Sequence, residues 1–90
     1  MQATGTATLR YWAAAREAAG TPEEQTRAET LGAALAAAVA DRGTDGERLA
    51  RVFKHCSFLV DGRQVGTRDP DTVRLDPGSV VEILPPFAGG

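Results

Sequence analysis

One stretch of this chain repeats apolar residues with the period of a long helix, and strand-like segments flank it on both sides. Leu31, Leu35 and Val39 recur every four residues, with Ala34 and Ala38 beside them. That spacing lines a single face of a helix with apolar side chains. Thr30 stands where an N-cap belongs, and Gly43 ends the segment after Asp41 and Arg42. Before it, residues 6–12 alternate as a strand, with Leu9 and Tyr11 on one face and Thr8, Arg10 and Trp12 on the other. Ala13 to Ala19 then reads as a short helical turn stopped by Gly20, and residues 24–28 as a polar edge strand. After the long helix, residues 44–50 read as a loop with a helical turn at 46–50. Cys56, Phe58 and Val60 alternate into Asp61-Gly62, a hairpin signal with Arg63–Val65 as the return strand. Val80–Leu84 is the last strand, with Val81 and Ile83 on its inner face.

A helix and a sheet that each own one apolar face bury those faces against each other. The predicted fold is therefore α+β, a mixed sheet of four to five strands packed on one main helix. Its closing strand runs parallel to the first, with the helix inside the crossover. The domain is expected to span residues 1–84, leaving 85–90 as a flexible tail.

Composition narrows the chemistry. Sixteen of the apolar residues are Ala, so the core is small. Ten basic against twelve acidic residues give a net charge of −2, which disfavours neutralising the phosphates of a nucleic acid. One Cys and one His fall short of a disulfide framework and of a zinc ligand set, so no metal site is expected. No apolar run approaches the ~20 residues of a membrane span, and no basic-then-apolar leader opens the sequence. A cytoplasmic chain without membrane contact is the expectation. Candidate catalytic pairs are weak. Neighbours on a strand face opposite ways, which sends Cys56 inward with Phe58 and His55 outward. Glu23 and Glu24 read as a solvated edge, and Gly62 and Gly66 lack the Lys-Ser/Thr of a phosphate loop.

The tail is more informative. Pro85-Pro86 cannot donate to a sheet ladder, so pairing stops there. Extended, residues 85–90 reach about 20 Å. Gly89 and Gly90 carry no side chain and fit a narrow slot with the carboxylate leading. Trp12, Leu59, Leu84 and Phe87 are expected on the solvent side, a set of apolar side chains suited to a partner.

Leu9 to Gly20 and the closing Asp76 to Gly90, with its Leu-Pro-Pro-x-x-Gly-Gly ending, resemble the ubiquitin-like sulfur carriers of the MoaD/ThiS family. Within that family the length of the chain favours the molybdopterin branch. The resemblance implies the β-grasp fold. It also implies a role as the small, sulfur-donating subunit of molybdopterin synthase, non-catalytic by itself. In that role an E1-like adenylating enzyme uses ATP to activate the Gly90 carboxylate, with Gly89 beside it in the slot. A persulfide then displaces AMP and leaves a thiocarboxylate, and the sulfur passes to a pterin in the large subunit. The implied assembly has two small and two large subunits, with Trp12, Leu59, Leu84, Phe87 and Ala88 at the contact. No cofactor is expected to be bound by the chain itself. Alternative destinations are a sulfur carrier for thiazole or cysteine synthesis, a protein modifier joined through Gly90, and a binding module with an inert tail.

Overall fold

The computed structural model of the chain describes residues 5–86. Its strands are β1 (Ala7–Tyr11), β2 (Glu23–Thr26), β3 (Ser57–Val60), β4 (Arg63–Gln64) and β5 (Val80–Leu84), and its helices are α1 (Ala13–Ala19), α2 (Leu31–Ala40) and α3 (Gly46–Phe53). The sheet order is β2-β1-β5-β3-β4. β1 and β5 run parallel, Leu9 beside Val81 and Tyr11 beside Ile83. The other pairings are antiparallel. The mixed sheet and its parallel closure are those expected. Among the described residues no helix is long and apolar enough to cross a membrane.

Period-two alternation places Ala7, Leu9, Tyr11, Val81 and Ile83 on the inner face, all buried. The helices cover that face. α2 begins as its sequence requires, with the Thr30 hydroxyl accepting from Ala33 N–H at 3.1 Å. Its deepest residues are Leu31, Ala34 and Ala38, while Leu35 and Val39 pack at the margin. Small side chains at the centre of the contact allow the helix to lie close to the sheet.

Several element boundaries differ from those expected. The edge strand is Glu23–Thr26 rather than 24–28, because the Thr26 hydroxyl accepts from Ala28 N–H at 3.1 Å and turns the chain away. The long helix stops at Ala40, short of Gly43, where a 3-10 turn over Gly43–Asp45 redirects the chain. The stretch read as a loop with a helical turn at 46–50 is the eight-residue α3, which extends that turn to Phe53 and joins α1 and the main helix α2 over the sheet. Leu49 and Phe53 are buried, with Val52 packed beside them, an i, i+3, i+4 set on one helix face. α3 packs against both α1 and α2. It starts at Gly46, where a Cβ would collide with the Val39 carbonyl of α2.

One side chain ties three elements together. Arg42 donates from Nε to Ala19 O at the end of α1 (3.0 Å) and from a terminal nitrogen to Ala38 O near the end of α2 (2.7 Å). Its other terminal nitrogen meets Glu24 of β2 at 2.8 Å. Glu24 also accepts from the Tyr11 hydroxyl, and the guanidinium lies 5.8 Å from the centre of the Tyr11 ring. Burial first, and then the hydrogen bond to Glu24, raise the Tyr11 pKa and keep the phenol protonated.

At the far end of the sheet the Asp61-Gly62 pair forms the predicted hairpin, with φ of +52° and +84°. The return strand is shorter than expected, Arg63–Gln64, but Val65 N–H still donates to Phe58 O at 3.0 Å.

Candidate functional site

The outer face of the sheet carries the candidate site. Trp12 follows β1 directly, and its backbone N–H donates to Ile83 O at 3.2 Å. The residue is 46% exposed, a large apolar side chain left facing solvent. The indole Nε1 donates to Glu82 Oε1 at 3.1 Å, which holds the ring over the end of β5. Beside it the chain turns into α1 through Ala13, whose φ of +49° is a left-handed conformation that costs a residue with a Cβ about 1–2 kcal/mol.

These residues enclose a groove of about 500 Å³, lined by Trp12, Ala13, Ala14, Leu84, Pro85 and Pro86, with Glu82 as its charged member. Trp12 and Leu84, two of the predicted contact residues, are thus brought together. Leu59 lies opposite Glu82 across the β3–β5 ladder, on the same outer face but outside the groove. Phe87, Ala88, Gly89 and Gly90 lie outside the described residues. The alanines and prolines of the wall are additions that alternation does not reveal, because a proline pair reads as a stop and an alanine pair as helix.

The groove is apolar, and its one carboxylate is occupied by the indole. It suits an apolar surface of a partner better than a polar substrate. It also adjoins the point where the chain leaves the sheet, since Pro85 and Pro86 form part of its wall. Whatever occupies it sits beside the start of the Gly-Gly tail.

The remaining candidates do not assemble a catalytic centre. Cys56 is half-buried against the core, and its thiol donates to Val52 O at 3.2 Å. Burial pushes its pKa up to about 11, so at neutral pH it is a thiol and a poor nucleophile. His55 is exposed in the preceding turn. Glu23 is an exposed edge residue as expected, 3.7 Å from Arg10. Glu24 is not solvated; it is the partner of Arg42 and Tyr11. Among the described residues no group of three or more His, Cys, Asp or Glu side chains is placed to hold a metal.

The sequence pattern of the ThiS family matches residues 9–90. The chain belongs to the ThiS family. It is a ubiquitin-like β-grasp protein of the MoaD/ThiS sulfur-carrier group. The fold is shared with small archaeal modifier protein 1 from Methanosarcina acetivorans, at a TM-score of 0.77 and 21% identity over 99% of this chain and 100% of that one. The Haloferax volcanii HVO 2177 protein matches at 0.71 and 29% identity over 96% and 87% of the two chains. Similar again is a chain in the complex of subunits 1 and 2 of molybdopterin-converting factor from Helicobacter pylori, at 0.64 and 20% identity over 94% and 99%. No curated protein sequence matches the chain.

Proposed function

We propose that this ThiS-family chain is the small, sulfur-carrying subunit of a molybdopterin synthase. The observation that carries the proposal is the apolar groove of Trp12, Leu84, Pro85 and Pro86 at the root of a Gly-Gly tail. A partner seated on that groove receives the tail in its own active site. The structurally similar chain in the complex of subunits 1 and 2 of molybdopterin-converting factor supplies the precedent for such a pairing.

A carboxylate resists nucleophiles. Attack by a Gly90 carboxylate on the α-phosphorus of ATP forms an acyl-adenylate, and pyrophosphate leaves. A persulfide on the activating enzyme or a sulfur donor displaces AMP, and a thiol cleaves the resulting acyl disulfide to a thiocarboxylate and a new disulfide. The thiocarboxylate is anionic, soft and nucleophilic. Six residues drawn out to full length span about 20 Å, enough for such a tail to present that atom inside a partner while the domain stays outside. Gly89 and Gly90 permit a close approach to the slot walls. The sulfur goes to a pterin precursor on the large subunit, which supplies the catalytic side chains in an assembly of two small and two large chains.

The second reading is a protein modifier whose Gly90 ends in an isopeptide bond to a lysine. It is favoured by the likeness to the archaeal modifier proteins. Both readings share the adenylate and part at the nucleophile. Intact and fragmentation mass spectrometry of the protein from its own cells separates them. Replacement of one oxygen by sulfur, localised to Gly90, is the expected result. Gly90 joined to lysine side chains of other proteins overturns the carrier reading in favour of the modifier. Failure to acquire sulfur in a reconstitution with ATP, an adenylating enzyme and a persulfide donor overturns it altogether.

A further inference from the structure

A second depression, of about 430 Å³, opens between the β3–β4 hairpin and the 3-10 turn at Pro70–Thr72. Val60 and Val73 line it, and Arg63, Arg68 and Arg74 stand around it. It lies at the opposite end of β5 from the groove. Asp61 N–H donates to Val80 O at 2.9 Å, whereas the Trp12 groove sits at Leu84. The two ends of the strand are about 13 Å apart.

The charges in this depression are unbalanced. Its one carboxylate, Asp61, has both oxygens engaged, accepting from Ser79 Oγ at 3.0 Å and from Val80 N–H at 2.9 Å. Arg68 is held in place by donating from Nε to Val65 O and from a terminal nitrogen to Gln64 O, each at 3.1 Å. Arg74 reaches Glu29 only at 3.8 Å, with both side chains more than two-thirds exposed. Such a pair holds the guanidinium weakly. Arg63 enters no salt bridge among the described residues. Three guanidinium groups therefore stand around a single carboxylate, whose hydrogen-bonding capacity is engaged but whose charge remains, in a chain whose net charge is −2.

We propose that this Arg63–Arg68–Arg74 depression docks an acidic segment of a partner protein. Carboxylates match the planar fork of arginine, and an apolar side chain between them finds Val60 and Val73 on the floor. A free phosphate has nothing to place on that floor, and the negative chain as a whole repels a nucleic acid. The site is independent of the carrier reading. Its position leaves the tail end of the sheet open, so the domain can be held here while its tail is engaged elsewhere.

The test is an NMR titration of the full chain with a synthetic peptide of alternating Glu and Leu. Amide shifts are expected at Val60, Asp61 and Val73 and not at Trp12 or Leu84. Reversing charge at two exposed positions, Arg63→Glu with Arg74→Glu, weakens binding at least about tenfold; Arg63→Gln with Arg74→Gln serves if the reversal disturbs folding in a thermal melt. The proposal is overturned by an absence of shifts at millimolar peptide or by shifts centred on Trp12. It is equally overturned by equal binding of a peptide with Gln in place of Glu, or by displacement with inorganic phosphate or an oligouridylate at matched charge.

Discussion

Trp12 shows how much a single side chain on this molecule depends on its neighbours. It is exposed, yet its indole is held by Glu82 at 3.1 Å, so the groove is shaped before any partner arrives. For the pairing proposed above, Trp12→Ala with Leu84→Ala is expected to weaken binding of the proposed large subunit at least about tenfold, as losing a central aromatic anchor does, while thermal stability changes little. Calorimetric titration of the two subunits checks this, and unchanged affinity removes the groove from the interface. Ala13 carries left-handed strain beside it, and Ala13→Gly is expected to stabilise the fold by about 1 kcal/mol in urea melts. Cys56 makes a pH prediction. Its folded-state pKa, pushed up to about 11, lies above its ordinary value of 9.0, so the folded chain holds that proton more tightly than the unfolded one. The resulting stability is complete below pH 9.0 and is lost as pH rises through 11. Urea midpoints across that window should fall, and less steeply in Cys56→Ala. The alternation rule placed Trp12 outward and Cys56 against the core correctly. It left out the alanines and prolines of the groove, because their role is to be small or rigid beside a larger side chain.

At the scale of elements, α3 was read only in part: the helical turn expected at 46–50 continues as helix to Phe53. Its apolar residues Leu49, Val52 and Phe53 have helical spacing, but Gly43, Asp45 and Gly46 ahead of them read as a loop. What makes it a helix is the contact it finds, against α1 and α2. Leu49→Ala is expected to cost about 2–5 kcal/mol. Gly46→Ala is expected to cost about 1–3 kcal/mol by forcing α3 off the Val39 carbonyl. Denaturant unfolding of both variants measures the difference, and a neutral Gly46→Ala would mean that the two helices can separate without penalty. The two-residue hairpin at Asp61-Gly62 was fully legible, since a DG pair supplies the two left-handed residues that the turn demands. The start of α2 was legible for a similar reason: Thr30 caps locally and needs no distant partner.

For the molecule as a whole, Arg42 has the widest reach, joining β2 to the ends of α1 and α2 through Glu24, Ala19 and Ala38. Arg42→Ala strands the half-buried Glu24 carboxylate and is expected to cost about 3 kcal/mol. Arg10→Ala, at an exposed pair 3.7 Å from Glu23, should stay within about 0.5 kcal/mol. Thermal melts of the two variants side by side test whether burial decides their difference. By itself the sequence determined the local features: the period of each strand, the cap of α2, the turn at Asp61-Gly62 and the stop at Pro85-Pro86. These rest on backbone angles, hydrogen bonds and spacings that adjacent residues settle among themselves. It also pointed to the ThiS family through the residues that close the chain. The tertiary structure alone settled that the turn at 46–50 runs on as a helix to Phe53, that Glu24 is an inner ion partner rather than a solvated edge, and that Trp12 and Leu84 share a groove. Each of those joins residues far apart along the chain, and the energy that fixes them arises only when both sides have been brought together.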